Sequence, residues 1–227
     1  MVCYNFQVKI ILKLLRIILG IFLIPFCIGS VIALYYILLS TGSAHMIWSS
    51  MLAGVATWLL IYFFLPEPKW LYVLGHELTH ALWSWGFGGK LKKIKVNSDG
   101  GHVLITKANF LTSLAPYFFP LYVVLIVIIF VIGNYFWNWN PYILWFYFLI
   151  GMMYAFHITL TVSTLKIKQP DIVQEGYIFS AVVIFLGNVL ILLVGIPLLT
   201  NKMEVSMAIN LWLSYSAQIY NYLSNFI

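Results

Sequence analysis

The sequence predicts an all-α polytopic membrane protein of about six transmembrane helices, with one small β-hairpin after the third. Three observations predict it. Hydrophobic residues make up 63% of the 227 and charged residues only 8%, where a soluble domain would be about a quarter charged. The apolar residues fall into runs of about 20, the length that crosses a bilayer. After the third run the pattern changes to alternation about an Asp-Gly turn, which signals a hairpin. The net charge of +6 sits in a few short segments, which suits topology and contact with the lipid bilayer and argues against a nucleic-acid partner. Cys3 and Cys27 make neither a disulfide framework nor a cysteine metal site.

In chain order, residues 1–16 carry Lys9, Lys13 and Arg16 among Ile and Leu and read as an interfacial lead-in, not as a cleaved signal peptide. The first span runs from about Ile17 to Leu39, and Gly20, Pro25 and Gly29 predict a kink. The second covers about Met46–Leu65 and ends at Pro66-Glu67-Pro68, where two prolines close one helix and open the next. The third is Lys69–Gly88, halted by Gly86, Gly88 and Gly89. Leu91–Ile105 alternates on both sides of Asp99-Gly100-Gly101 and reads as the hairpin, a surface loop in the headgroups or an edge for an extended peptide. A fourth span, about Phe110–Ile132, contains Pro116 and Pro120, with Asn109 placed to cap it. A fifth covers about Pro141–Leu165 and a sixth about Asp171–Leu199. Lys202 and Glu204 lead into an uncharged stretch, Val205–Ile227, that is expected in the interface. This describes one integral-membrane domain over residues 1–227, with a core at roughly 66–200 and a tail at 201–227.

The third span holds the chemistry. It reads KWLYVLGHELTHALWSWGFG, with His76, Glu77 and His80 at its centre. Residues four apart share a helix face, so His76 and His80 point the same way. Two neutral imidazoles on one face suit Zn²⁺, one ion per chain, and the glutamate beside the first suits a general base. Ionisable groups are expensive in hydrocarbon, so three of them in one turn need a reason. A metal-free polar cluster between helices is the simpler alternative. An open zinc site needs a third ligand. Asp171 stands first, with His157 and Glu175 behind it; Asp171 also suits a helix N-terminus without any metal. His45, Glu67 and Glu204 lie at span ends. His102 and Gly101, at the hairpin turn, and Asn109 are candidate substrate contacts.

His76–Ala81, HELTHA, in a membrane helix resembles the site-2 protease family of intramembrane zinc metalloproteases. Gly86–Gly89 with the Leu91–Ile105 hairpin is similar to the hairpin those enzymes carry after the same helix. Leu114-Ala115-Pro116-Tyr117-Phe118-Phe119-Pro120 matches their small-residue and proline motif, and Gln169-Pro170-Asp171 the site of their distant aspartate. The likeness covers roughly residues 70–180, in a compact form without a PDZ or CBS domain. The usual Asp-Gly signature departs: Asp171 is followed by Ile172, and the nearby glycine is Gly176.

The resemblance implies a metalloendopeptidase. His76, His80 and Asp171 would hold zinc, Glu77 would be the general base, and the substrate would be a transmembrane protein or peptide that unwinds locally. Asn109 would contact the substrate or the oxyanion, or else cap its helix. The competing readings are a catalytically silent scaffold or binding protein, a transporter with a polar midplane site, and another membrane zinc peptidase. Lys90, Lys92, Lys93, Lys95, Lys107, Lys166 and Lys168 outweigh Lys9, Lys13, Arg16, Lys69 and Lys202 on the other side. This leans the active site toward the cytoplasmic face, as in a bacterial cytoplasmic membrane.

Overall fold

Apolar runs become helices throughout, and prolines and glycines divide them. The computed structural model describes residues 2–97 and 100–225. In chain order the elements are α1 (Val2–Phe22), α2 (Ile24–Thr41), α3 (His45–Phe64), α4 (Lys69–Gly86), β1 (Leu91–Asn97), β2 (Gly100–Ile105) and α5 (Phe110–Leu114). After a 3₁₀ turn at Ala115–Tyr117 follow α6 (Leu121–Trp137), α7 (Ile143–Leu165), α8 (Pro170–Glu175), α9 (Tyr177–Thr200) and α10 (Val205–Ser224). The fold is therefore all-α with one antiparallel hairpin, and it is that of an integral membrane protein.

Among the described residues, the helices long and apolar enough to cross a membrane are Ile11–Thr41, His45–Phe64, Asn140–Leu165 and Tyr177–Thr200. The pair Phe110–Tyr117 and Leu121–Trp137 is apolar enough only when taken together and is bent by 80° at its break, the geometry of a broken span or of a re-entrant loop. The expected third span, α4, is 18 residues long but less apolar, because it carries the ionisable motif. Two expected spans differ in detail. Pro116 and Pro120 lack the N–H that a continuous helix needs, so the fourth is split between α5 and α6. The sixth is split at Gly176, whose φ of 92° is open to glycine and strained for other residues. Asp171 and Glu175 thus lie on a short separate helix, not on the first turn of a long one.

The chain divides into two compact units, Ala44–Ile167 and Met1–Ser43 with Lys168–Ile227. In the first, α3 and α7 pack closely through glycines. Gly54 faces the backbone of Phe148 and Met152, and Gly151 faces that of Met51. In lipid, where no hydrophobic force joins helices, small residues that let backbones approach are the natural interface. Trp58 Nε1 donates to Thr159 Oγ1 at 2.8 Å, and Trp58, Tyr72, Phe156 and Leu160 form the core. Helix α6 joins α7 through the stacked rings of Phe130 and Phe146, centroids 4.2 Å apart.

The hairpin pairs Leu91 with Ile105 and Asn97 with Gly100, with an irregularity between Leu91 and Lys93. Asp99, in its expected turn, lies outside the described residues. In the second unit α10 packs along α2. Trp212 Nε1 donates to Phe26 O at 3.0 Å, Tyr36 stacks on Tyr215 at 5.4 Å, and Gly29 admits the backbone of Ser216.

Candidate metal centre

Helix α4 starts directly after Pro68, where a missing N–H costs nothing, and ends at Gly86. Beyond it Gly88 turns at φ 72°, and Gly89 N–H donates to Ser84 O at 2.7 Å, closing the helix as the chain turns into β1. His76 and His80 are one turn apart, with ring centroids 4.9 Å apart. Tyr117 packs edge-on against His76 at 5.1 Å and is itself fully buried.

His80 is held by a specific contact. Its Nδ1 lies 2.7 Å from Thr112 O. A carbonyl only accepts, so Nδ1 carries the hydrogen and Nε2 keeps the lone pair that a metal takes. Metal-binding histidines are generally oriented in this way, by donating the second ring nitrogen to a carbonyl. Asn109 sets the position of that carbonyl. Its Oδ1 accepts from Thr112 N–H at 2.8 Å and from the Thr112 hydroxyl at 3.2 Å, which caps α5. Of the two roles open to Asn109, the cap is the one observed.

Glu77 is buried, at 7% exposure, against the hairpin. A Cβ on Gly101 would stand 2.5 Å from both Cγ and Oε1 of Glu77 and 2.7 Å from Val73 Cγ1. Only a glycine lets β2 come this close. His102, the next residue, is exposed and pairs across the hairpin with Lys95.

The other candidate ligands are placed as follows. His157 is buried in α7. It lines a small cavity with Tyr72, Gly75, His76, Thr79 and Tyr122, and its Nε2 has no hydrogen-bond partner among the described residues. Glu175 is taken up by Arg16, whose Nη2 lies 2.6 Å from Oε2, so it makes a poor ligand. Asp171 stands in the first turn of α8, behind Pro170. Sequence reasoning did not foresee the Thr112 carbonyl, which leaves no residue-type signal, or the Arg16 pair, whose members lie 158–159 positions apart.

The donor set fits a metal: two imidazoles share one face, one of them locked in the right tautomer, with a buried carboxylate between them in sequence. Such a helix among apolar helices carries the kind of donor set that an integral-membrane metallopeptidase uses. The chain belongs to the Peptidase M50B-like family, whose model matches residues 47–196, in line with its likeness to the compact site-2 proteases. No curated protein and no solved structure matches it.

Proposed function

We propose that the chain is a zinc-dependent intramembrane endopeptidase that cleaves a transmembrane segment of another protein. The observation that carries this reading is the His80–Thr112 contact, which holds the ring through Nδ1 in the orientation that metal-binding histidines generally adopt, one turn from His76 on the same face. His76 and His80 would hold the ion, with Asp171 as third ligand. When bound, zinc would supply the Lewis acidity that brings a water near neutral pKa.

Glu77 then takes a proton from the attacking water and passes it to the leaving amine as the peptide bond breaks. Its burial beside Gly101 keeps bulk water away from that proton. The substrate arrives extended, since an intact helix hides its carbonyls, and the hairpin offers a strand edge beside Glu77. Gly101 and His102 would be its nearest contacts. The lysines of the hairpin favour a cytoplasmic active site.

His157 is a second candidate for third ligand, favoured by its buried, unpartnered Nε2 on the cavity it shares with His76. The experiment is zinc content and cleavage of a tagged transmembrane substrate in proteoliposomes. Wild type is expected to hold about one zinc per chain, as a single catalytic site requires. His80→Ala and Asp171→Ala should lose it, and Glu77→Gln should keep zinc but not cleave. Zinc retained in Asp171→Ala but lost in His157→Ala would move the third ligand to His157. A folded wild type without zinc would refute the proposal.

A further inference from the structure

Outside the site, one cluster stands out chemically. Arg16 is the only arginine in the sequence, and it lies within the apolar stretch Ile11–Thr41. Its guanidinium makes a fork: Nη2 lies 2.6 Å from Glu175 Oε2, and Nη1 donates to Gln174 O at 2.8 Å. The Glu175 side chain is 2% exposed and that of Arg16 30%. Gln174 Nε2 donates to the other carboxylate oxygen, Oε1, at 3.4 Å. A charge so deep in an apolar setting persists only when paired and well hydrogen-bonded. Arginine suits this role, because its planar fork engages two acceptors at once.

Both acceptors belong to the last turn of α8. That helix is six residues long, too short to hold itself, and Gly176 at φ 92° uncouples it from α9. Its position therefore depends on its contacts, among them the fork from α1 and the buried side chain of Ile172. Asp171 is one turn before Glu175 on the same short helix, so moving one end moves the other. Metal ligands must stand within about 0.2 Å of their distance to be effective.

We infer that Arg16 and Glu175 are positioning residues for Asp171: the ion pair ties α8 to α1, so the first helix of the chain sets the metal affinity of the centre. This rests on the reading of Asp171 as third ligand.

The test uses the full chain in detergent, with Zn²⁺ affinity measured by chelator competition, the visible d–d spectrum of the Co²⁺-loaded protein, and thermal melting. Arg16→Met alone leaves a buried carboxylate unpaired and endangers the fold. Arg16→Met/Glu175→Met removes both charges, and Glu175→Gln keeps the shape. Both are expected to melt near wild type, to bind Zn²⁺ about 10- to 100-fold more weakly, and to show altered Co²⁺ bands. Arg16→Lys, which keeps the charge but not the fork, is expected to recover part of the affinity. If the double variant and Glu175→Gln fold and match wild type in affinity and spectrum while Asp171→Ala does not, the inference is overturned and the Asp171 reading survives. If Asp171→Ala itself matches wild type, both fall.

Discussion

Replacing Gly101 by alanine tests the closest approach in the centre. The added Cβ would stand 2.5 Å from Glu77 Cγ and Oε1 and 2.7 Å from Val73 Cγ1. Carbon contacts settle at about 3.5–4.0 Å, so the hairpin and α4 must part by about 1 Å, or the Glu77 side chain must swing by as much. The carboxylate can rotate away from Oε1, but Cγ is tied to the helix, and moving it displaces the whole side chain. A 1 Å misplacement of a catalytic group costs about a hundredfold in rate. Overpacking of this kind costs about 1–3 kcal/mol of stability.

Gly101→Ala is therefore expected to lower kcat about a hundredfold, with zinc content unchanged, because the three atoms nearest the new methyl belong to Glu77 and Val73 and not to a histidine. The assay is cleavage of a transmembrane substrate in proteoliposomes, beside zinc content and melting. Lys93→Ala, at an exposed position of β1, serves as control. A Gly101→Ala protein that folds, holds zinc and cleaves like wild type would refute the close approach of the hairpin to Glu77.

Glu77→Gln should lower cleavage by about a hundred- to ten-thousand-fold, the usual contribution of a general base, with zinc retained; full activity would rule out the proton-transfer role. Asn109→Ala removes the cap of α5, costing about 1 kcal/mol, and loosens the carbonyl that orients His80; zinc affinity in chelator competition should fall about tenfold or more, and no change would make the cap purely structural. Gly54→Leu would drive a side chain into the backbone of Phe148 and Met152, and should separate α3 from α7 and lower the melting temperature sharply; a wild-type melt would contradict that packing. Chelation should abolish cleavage and added Zn²⁺ restore it, whereas cleavage that survives exhaustive chelation would exclude a metal-dependent reaction.

Much of this protein was legible residue by residue, because the deciding effects are local. Long apolar runs with few charges can only be membrane helices, since the bilayer satisfies no backbone polar group. Alternation about a turn can only pair as a hairpin, and Leu91–Asn97 with Gly100–Ile105 does so. His76 and His80 share a face by helix geometry alone, and HELTHA carries the family likeness.

The rest depended on backbone conformation and on side-chain contacts, several between residues far apart, which residue type and spacing do not encode. Asn109 suits a cap or a substrate contact equally well by type; the position of Thr112 decides for the cap. The His80 tautomer depends on a backbone carbonyl 32 residues away. Spacing alone lets Glu175 serve as a ligand, until folding brings the lone arginine of α1 onto it. Apolar run length carried the sixth span straight through Gly176, whose positive φ becomes visible only in three dimensions. Sequence determines which groups exist and which share a helix face, because those follow from bonded geometry. Tertiary structure alone decides which buried group meets which, because burial forces each polar atom to find its partner wherever the fold has placed one.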